Sequence, residues 1–208
     1  MGVSFDLFGT LVSADRSADP ASAVAAELLA RDVSVPDDWD DAYARPHLEV
    51  AAGRELPLPD HVVAALESRG VEADPTTVRQ AVQAAFDRAV TTRPGACEAV
   101  AAASECGPVA ICSNCSVPGL VERTLERSRL DSGAFDAVVT SVDCGWRKPA
   151  PEIFETTAAR LGVESRDLVH VGDDPRADGG VEALGGTYVS LEDVTLASVP
   201  VELEAIDG

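Results

Sequence analysis

Six polar residues lie at the ends of short apolar runs or in the segments that follow them. They are Asp6, Ser113, Asn114, Lys148, Asp173 and Asp178. Parallel strands present their carboxyl ends at one edge of a sheet, and open α/β sheets bind their ligands beyond that edge. We therefore expect these side chains, although far apart in sequence, to converge on one pocket.

The chemistry of this set suits the transfer of a phosphoryl group. A carboxylate such as Asp6 can attack phosphorus or carbon and form an aspartyl intermediate that water then opens. Asp6 and Asp173 together offer the hard oxygen ligands that Mg²⁺ prefers. The cation and Lys148 would neutralise charge on the transferring group, and Ser113 would donate a hydrogen bond to it. The Asn114 amide can orient the nucleophile.

Five apolar runs bounded by turn residues are predicted to be the strands that position these side chains: VSFDLF, PVAICS, AVVTS, LVHVG and TYVS. The runs are apolar on both faces, which is typical of a parallel sheet covered by helices. Helical segments lie between them; EIFETTAARL, for example, follows Pro151 and stops at Gly162. This alternation predicts an α/β fold with a doubly wound, Rossmann-like parallel sheet.

Residues 15–90 interrupt the alternation, because they contain helix patterns but no convincing strand. Three helices are predicted, after Asp19-Pro20, after Asp60 and after Asp74-Pro75. The stretch from Ala44 to Pro59 between them is predicted to be a loop. We therefore divide the chain into an α/β core, residues 1–14 and 91–208, and a small all-helical insertion, residues 15–90.

The charge balance argues against several classes of partner. Asp and Glu number 36 against 16 Lys and Arg, which gives a formal charge of −20 and a pI near 4.3. Nucleic acid and anionic membranes would be repelled, so a small-molecule substrate is expected; the oligomeric state cannot be predicted. The acidity is typical of a cytoplasmic protein from a salt-accumulating organism such as a halophilic archaeon, although a high-GC genome would also favour Arg and Ala.

The segments FDLFGTL, ICSN, GWRKPAPEIF and VHVGDDPRAD occur in this order and in this strand context. On these four motifs the chain resembles the haloacid dehalogenase (HAD) superfamily of hydrolases over nearly its whole length. The helical insertion then resembles the small cap domain of that family. The only Lys and the only Asn of the chain, Lys148 and Asn114, both fall on motif positions.

The resemblance implies a role for each motif residue. Asp6 would be the nucleophile, with Ser113 and Lys148 as its catalytic partners on the phosphoryl group. A Mg²⁺ cofactor would be held by Asp6, the Phe8 backbone carbonyl, Asp173 and Asp178. Substrate-binding positions would be Gly9, Thr10 and Asn114.

Phe8 departs from the phosphatase pattern of that family. Its phosphatases generally carry a second Asp two residues after the nucleophile, which protonates the leaving group. Members that cleave carbon–halogen bonds carry an aromatic residue there but generally lack the GDD-type metal site, which this chain keeps. The sequence therefore predicts a Mg²⁺-dependent phosphohydrolase, with dehalogenase-type hydrolysis at carbon as the alternative.

A third hypothesis is a non-hydrolytic role, either as a binding protein or as a redox protein that uses Cys112 and Cys115. The order strand, CxxC and helix is also that of a thioredoxin-like redox site, and Cys144 could complete a zinc site. His170 lies between two Val in a predicted strand and is interpreted as a hydrogen-bonded core histidine.

Overall fold

The computed structural model describes residues 1–14 and 19–207. Its strands are β1 (Gly2–Phe5), β2 (Val12–Ala14), β3 (Val90–Thr92), β4 (Val109–Ser113), β5 (Ala137–Thr140), β6 (Leu168–Gly172) and β7 (Thr187–Ser190). Its helices are α1 (Pro20–Leu29), α2 (Trp39–Ala44), α3 (Leu58–Glu67), α4 (Pro75–Phe86), α5 (Ala96–Cys106), α6 (Leu120–Arg127), α7 (Ser141–Cys144), α8 (Pro151–Leu161), α9 (Pro175–Asp178) and α10 (Val199–Asp207). Within these residues no helix is long and apolar enough to cross a membrane.

A five-stranded parallel sheet organises the core, in the order β5-β4-β1-β6-β7. The predicted fold class is therefore confirmed, and all five predicted strands are present. Phe5 at the end of β1 is paired with Ile111 on one side and with Val171 on the other. Residues that follow β1, β4 and β6 consequently meet at the same edge of the sheet.

Helices cover both faces of this sheet, because alternate side chains of a strand point to opposite faces. Val3 and Phe5 of β1 belong to the apolar cluster that includes the buried side of α5. Ala110 and Cys112 of β4 belong to the cluster on the other face, with Ile153 of α8. The three central strands, β1, β4 and β6, are buried on both faces, which explains why they read as continuous apolar runs.

The chain between β2 and β3 is helical and contains α1 to α4. Asp19 and Asp74 cap α1 and α4 as predicted, accepting hydrogen bonds from the backbone N–H groups of Ser22 at 3.0 Å and Thr77 at 2.8 Å. Helix α3 begins at Leu58, three residues earlier than predicted, so Asp60 lies in its first turn. Residues 45–57 contain neither helix nor strand, as expected for that loop.

Three elements of this part of the chain were not predicted. Helix α2 is only six residues long, and β2 and β3 are three-residue strands that pair antiparallel with each other at both ends of the helical segment. Such short elements carry too few residues for a periodic pattern to emerge. The β2–β3 pair lies at the predicted domain boundaries, since β2 ends at Ala14 and β3 begins at Val90. The division into two domains stays a prediction.

Candidate active site

The ammonium group of Lys148 lies at the centre of the site. Its Nζ is 2.9 Å from Asp6 Oδ1 and 2.6 Å from Asp178 Oδ1, and it donates to the Cys112 carbonyl at 2.8 Å. The three partners match the three ammonium protons. Burial alone would lower the pKa of Lys148, but the neighbouring carboxylates outweigh it and raise the pKa. Lys148 is therefore a permanent cation beside Asp6.

Asp178 is buried behind this lysine. Besides Lys148, its carboxylate contacts His170 Nε2 at 3.1 Å through Oδ1 and accepts from the Asp174 backbone N–H at 2.9 Å through Oδ2. A Cβ on Gly172 would lie 2.2 Å from Asp178 Cγ, so only glycine allows this approach. Burial raises the pKa of Asp178, but the contacts with His170 and Lys148 overcome it and lower the pKa. Both carboxylate oxygens are thus committed to protein donors.

His170 supports Asp178 from inside the sheet. Burial, together with Lys148, lowers the pKa of His170, so the ring is neutral. Because the Asp178 carboxylate can only accept, Nε2 carries the ring proton and donates to it; Nδ1 then accepts from the Ser4 hydroxyl at 2.8 Å. His170 is a hydrogen-bonded core histidine, as interpreted from the sequence, and it reaches Lys148 only through Asp178.

Asp173 lies against the turn that follows Asp6. Its Oδ1 accepts from the Thr10 hydroxyl at 2.8 Å. Gly9 has a φ of +97°, and a Cβ there would lie 2.5 Å from Asp173 Oδ2. The turn is also held by Arg93, whose guanidinium donates to the carbonyls of Gly9 and Thr10. Asp173 is thereby placed beside the turn that follows Asp6, where Gly9 leaves room for it.

Ser113 is the last residue of β4, and Asn114 follows it next to Lys148. The Asn114 side chain forms a reciprocal pair with the Lys148 backbone, since Nδ2 donates to the carbonyl at 3.0 Å and Oδ1 accepts from N–H at 2.8 Å. The Ser113 hydroxyl is buried and has no partner among the described residues. A buried hydroxyl without a partner is costly, and an oxygen of a bound substrate would satisfy it.

The carboxylates fit a Mg²⁺ ion with few protein ligands. Among residues 1–14 and 19–207, no group of three or more His, Cys, Asp or Glu side chains is arranged as a metal site. The Asp178 carboxylate, expected as a metal ligand, contacts Lys148 and His170 instead and therefore holds the lysine in place. Asp6 and Asp173 remain, after the adjacent strands β1 and β6. Mg²⁺ commonly takes one or two carboxylates and completes its shell with water and substrate oxygens.

A cavity of about 580 Å³ opens beside these groups. One side is formed by Phe8, Gly9 and residues 114–117, and the other by residues of the helical segment and its flanks. Its lining is mostly apolar and includes Phe8 and Phe86; Arg88 contributes a cation, and none of the described lining residues is acidic. The cavity suits a small organic molecule that carries an anionic group near Asn114.

Cys112 and Cys115, the two cysteines of the CxxC motif, are buried and poorly placed for redox or metal chemistry. Cys112 lies in β4 and faces α8, and burial raises its pKa to about 11. Burial also raises the pKa of Cys115 to about 11. Thiolates are the reactive and metal-binding form of cysteine, so both side chains act as small core residues.

Three residues of the site region were missed by sequence reasoning: Ser4, Arg93 and Glu55. Ser4 and Arg93 act through residues that are distant in sequence, and nothing in their local pattern marks them. Glu55 belongs to the loop between α2 and α3 yet is bonded to the core. The only signal for it was an acidic residue in a stretch rich in Leu and Pro.

The fold and site together define a hydrolase built on a doubly wound sheet, with an aspartate, a lysine and a hydroxyl at the carboxyl ends of its strands. The sequence profile of the haloacid dehalogenase-like hydrolases matches residues 1–180. The chain therefore belongs to this family.

Solved structures share the fold at low sequence identity. A 2-haloacid dehalogenase from Pseudomonas syringae pv. tomato DC3000 superposes with a TM-score of 0.62 and 19% identity, covering 99% of this chain and 98% of that one. CbbY from Rhodobacter sphaeroides in complex with phosphate gives 0.60 and 17%, covering 91% and 84%. A predicted phosphoglycolate phosphatase from Haemophilus somnus 129PT gives 0.58 and 19%, with the same coverage. No curated protein sequence matches the chain.

Proposed function

We propose that this chain is a Mg²⁺-dependent phosphohydrolase that cleaves a small phosphorylated metabolite through an aspartyl-enzyme intermediate. The position of Asp173 carries the proposal, because it brings a second carboxylate to the turn that follows Asp6. Cleavage at phosphorus uses such a cation site, whereas displacement of halide from carbon does not need one. The unpartnered Ser113 hydroxyl supplies a hydrogen bond for a phosphoryl oxygen, and the Lys148 ammonium beside Asp6 supplies positive charge next to it.

In the first step, an Asp6 carboxylate oxygen attacks the phosphorus of a phosphomonoester. A bond forms between Asp6 and phosphorus, the bond to the ester oxygen breaks, and the departing alkoxide takes a proton from water, which leaves hydroxide. In the second step, water attacks the aspartyl phosphate and releases inorganic phosphate, which regenerates Asp6; the proton that this water loses neutralises the hydroxide. Lys148 offsets the charge of the transferring group throughout, and Asp178 keeps that lysine in place.

Asp6 and Asp173 would hold the Mg²⁺ ion, together with the Phe8 carbonyl. The bound ion would supply further neutralisation of the phosphoryl oxygens. The Phe8 side chain can neither donate nor accept a proton, so it cannot protonate the leaving group. We therefore expect slow turnover of alkyl esters and a preference for leaving groups that are stable as anions.

The helical segment, residues 15–90 of the predicted division, would serve as the cap over the substrate. Leu58, Phe86 and Arg88, which all belong to this segment, line the cavity. Arg88 is exposed, and its Nε donates to the Ala85 carbonyl at 3.0 Å. The cap would shield the reaction from bulk water, and Arg88 would favour substrates that carry a second anionic group.

Dehalogenase-type hydrolysis at carbon is the second candidate, and Phe8 is the observation that favours it. The ring lines the cavity and makes the wall next to Asp6 apolar. Halide leaves without a proton, so the absence of an acid at this position would cost nothing. Asp6 would then attack carbon, halide would depart, and water would cleave the resulting ester.

One experiment separates the two candidates. The protein is assayed at high salt with phosphorylated metabolites and with 2-haloacids, with Mg²⁺ and after chelation by EDTA. We expect phosphate release that needs Mg²⁺, no turnover by Asp6→Asn, and a loss of about 10²-fold or more in Asp173→Asn. Asp174→Asn is the matched control, since Asp174 is exposed and caps α9. Halide release that persists in EDTA and in Asp173→Asn would establish the second candidate, and turnover by Asp6→Asn would contradict both.

The charge of −20 supports two further proposals. We propose a cytoplasmic location in a salt-accumulating, halophilic organism, and a small molecule, not nucleic acid or a membrane, as the binding partner. Activity should accordingly be retained in molar salt, where mutual repulsion of surface carboxylates is screened.

A further inference from the structure

Glu55 is a buried carboxylate of the loop formed by residues 45–57, with a side chain that is 2% exposed. Its Oε1 accepts from Ser116 Oγ at 2.9 Å, and Ser141 Oγ donates to its Oε2. Arg147 Nη1 donates to both oxygens, at 3.0 and 2.8 Å. One carboxylate from the helical side of the molecule therefore binds three side chains of the core.

The backbone of the same loop is paired with the core. The Glu55 N–H donates to the Gly145 carbonyl at 3.0 Å, and the Arg147 N–H donates to the Gly53 carbonyl at 2.8 Å. The Arg54 guanidinium lies over the Trp146 ring at 4.6 Å from its centre. Loop 45–57 is thereby held against residues 145–147, immediately before Lys148.

The partners of Glu55 lead to two catalytic loops. Ser116 follows Asn114 by two residues, and Arg147 immediately precedes Lys148. Ser141 accepts from the Cys115 N–H at 2.9 Å while its own hydroxyl donates to Glu55, so the carboxylate acts on the backbone next to Asn114 through one hydroxyl. Glu55 is thus bonded to both loops that present phosphoryl-binding groups.

We propose that Glu55 is a positioning residue for the hydrolytic site: it holds the Ser113–Asn114 loop and the Lys148 loop at a fixed separation and joins both to the segment that covers the cavity. A carboxylate suits this task because it accepts from Ser116, Ser141 and Arg147 at once. A buried ion pair contributes little net stability, because apolar side chains of similar volume would stabilise the fold about as well. We therefore attribute the buried carboxylate to the placement of the two loops. The kinetic part rests on the proposed function.

The test compares Glu55→Gln with Glu49→Gln, an exposed residue of the same loop. Glutamine keeps the size but replaces one acceptor oxygen with a donor, which cannot accept from Ser141 or Arg147. We expect hydrogen exchange at the amides of Cys115 and Arg147 to accelerate about 10- to 100-fold, with unchanged exchange in β1. We also expect kcat to fall about 10- to 100-fold in the folded variant, partial recovery in Glu55→Asp, and no effect of Glu49→Gln.

Each other outcome overturns the proposal. Unchanged exchange at both amides would mean that Glu55 does not hold these loops. Accelerated exchange with unchanged kcat would mean that their separation does not matter for turnover. Uniform acceleration over the whole sheet would identify a general stabilising role. Hydrogen exchange needs no substrate, so it tests the Glu55 contacts even if the wild-type protein fails to hydrolyse phosphate esters, in which case the proposed function alone would be rejected.

Discussion

The substitution Phe8→Asp should raise the hydrolysis rate of this protein. The side chain of Phe8 is half-buried and lines the cavity, so a carboxyl group there would face the substrate. The backbone around it is held independently of the ring. Gly9 N–H donates to the Val12 carbonyl at 2.8 Å, and Arg93 binds the Gly9 carbonyl. The variant should therefore change the chemistry at this position and leave the turn in place.

The expected gain is set by general acid–base catalysis, which contributes about 10²–10⁴ in rate. This corresponds to a barrier lower by about 3–5 kcal/mol. Asp6 and Asp173 nearby would raise the pKa of the new carboxyl group and favour its acid form. The loss of half-buried aromatic surface should lower the free energy of unfolding by about 1–2 kcal/mol, which leaves most of the protein folded.

The assay measures kcat of Phe8→Asp and of Phe8→Asn on an alkyl phosphate and on p-nitrophenyl phosphate, in Mg²⁺ at high salt. Asparagine matches the size and polarity of aspartate but cannot donate a carboxyl proton. The gain should be larger on the alkyl ester, whose leaving group needs protonation more. Equal rates for the two variants would refute the argument, since the missing acid would then not limit turnover.

Two further predictions concern the buried groups. Asp178→Asn should lower the free energy of unfolding by about 3–5 kcal/mol by leaving the Lys148 charge without one of its partners. Since the pKa of Asp178 is lowered in the folded state, its ionised carboxylate stabilises the folded protein above about pH 4, and this stabilisation is lost as the pH falls further. In urea unfolding, the free energy of unfolding should therefore fall less on acidification in the variant than in the wild type. Iodoacetamide at neutral pH should label the exposed Cys97 and spare Cys112 and Cys115, whose pKa values of about 11 keep them protonated; loss of activity on labelling of Cys115 in the folded protein would contradict a purely structural role.

Much of the fold and the outline of the site could be read from the sequence, because the relevant signals are local. A strand buried on both faces must be apolar throughout, and helices capped by Asp and Pro or ended by Gly mark their own ends, as α4 and α8 do. In a parallel sheet these local assignments already place Asp6, Ser113 and Asp173 at one edge. Membership of the hydrolase family follows from the same motifs.

The partners of the charged groups were decided only by the tertiary structure. Asp178 was expected as a metal ligand, yet its oxygens face Lys148, His170 and the Asp174 N–H, because Gly172 lets the carboxylate approach the end of β6. Glu55 was part of a featureless loop, and it is bonded to residues more than 60 positions away. Sequence patterns indicate which face of a helix or strand is apolar. Which charged side chains contact one another depends on how separate loops pack, and the local periodicity of the sequence does not encode that packing.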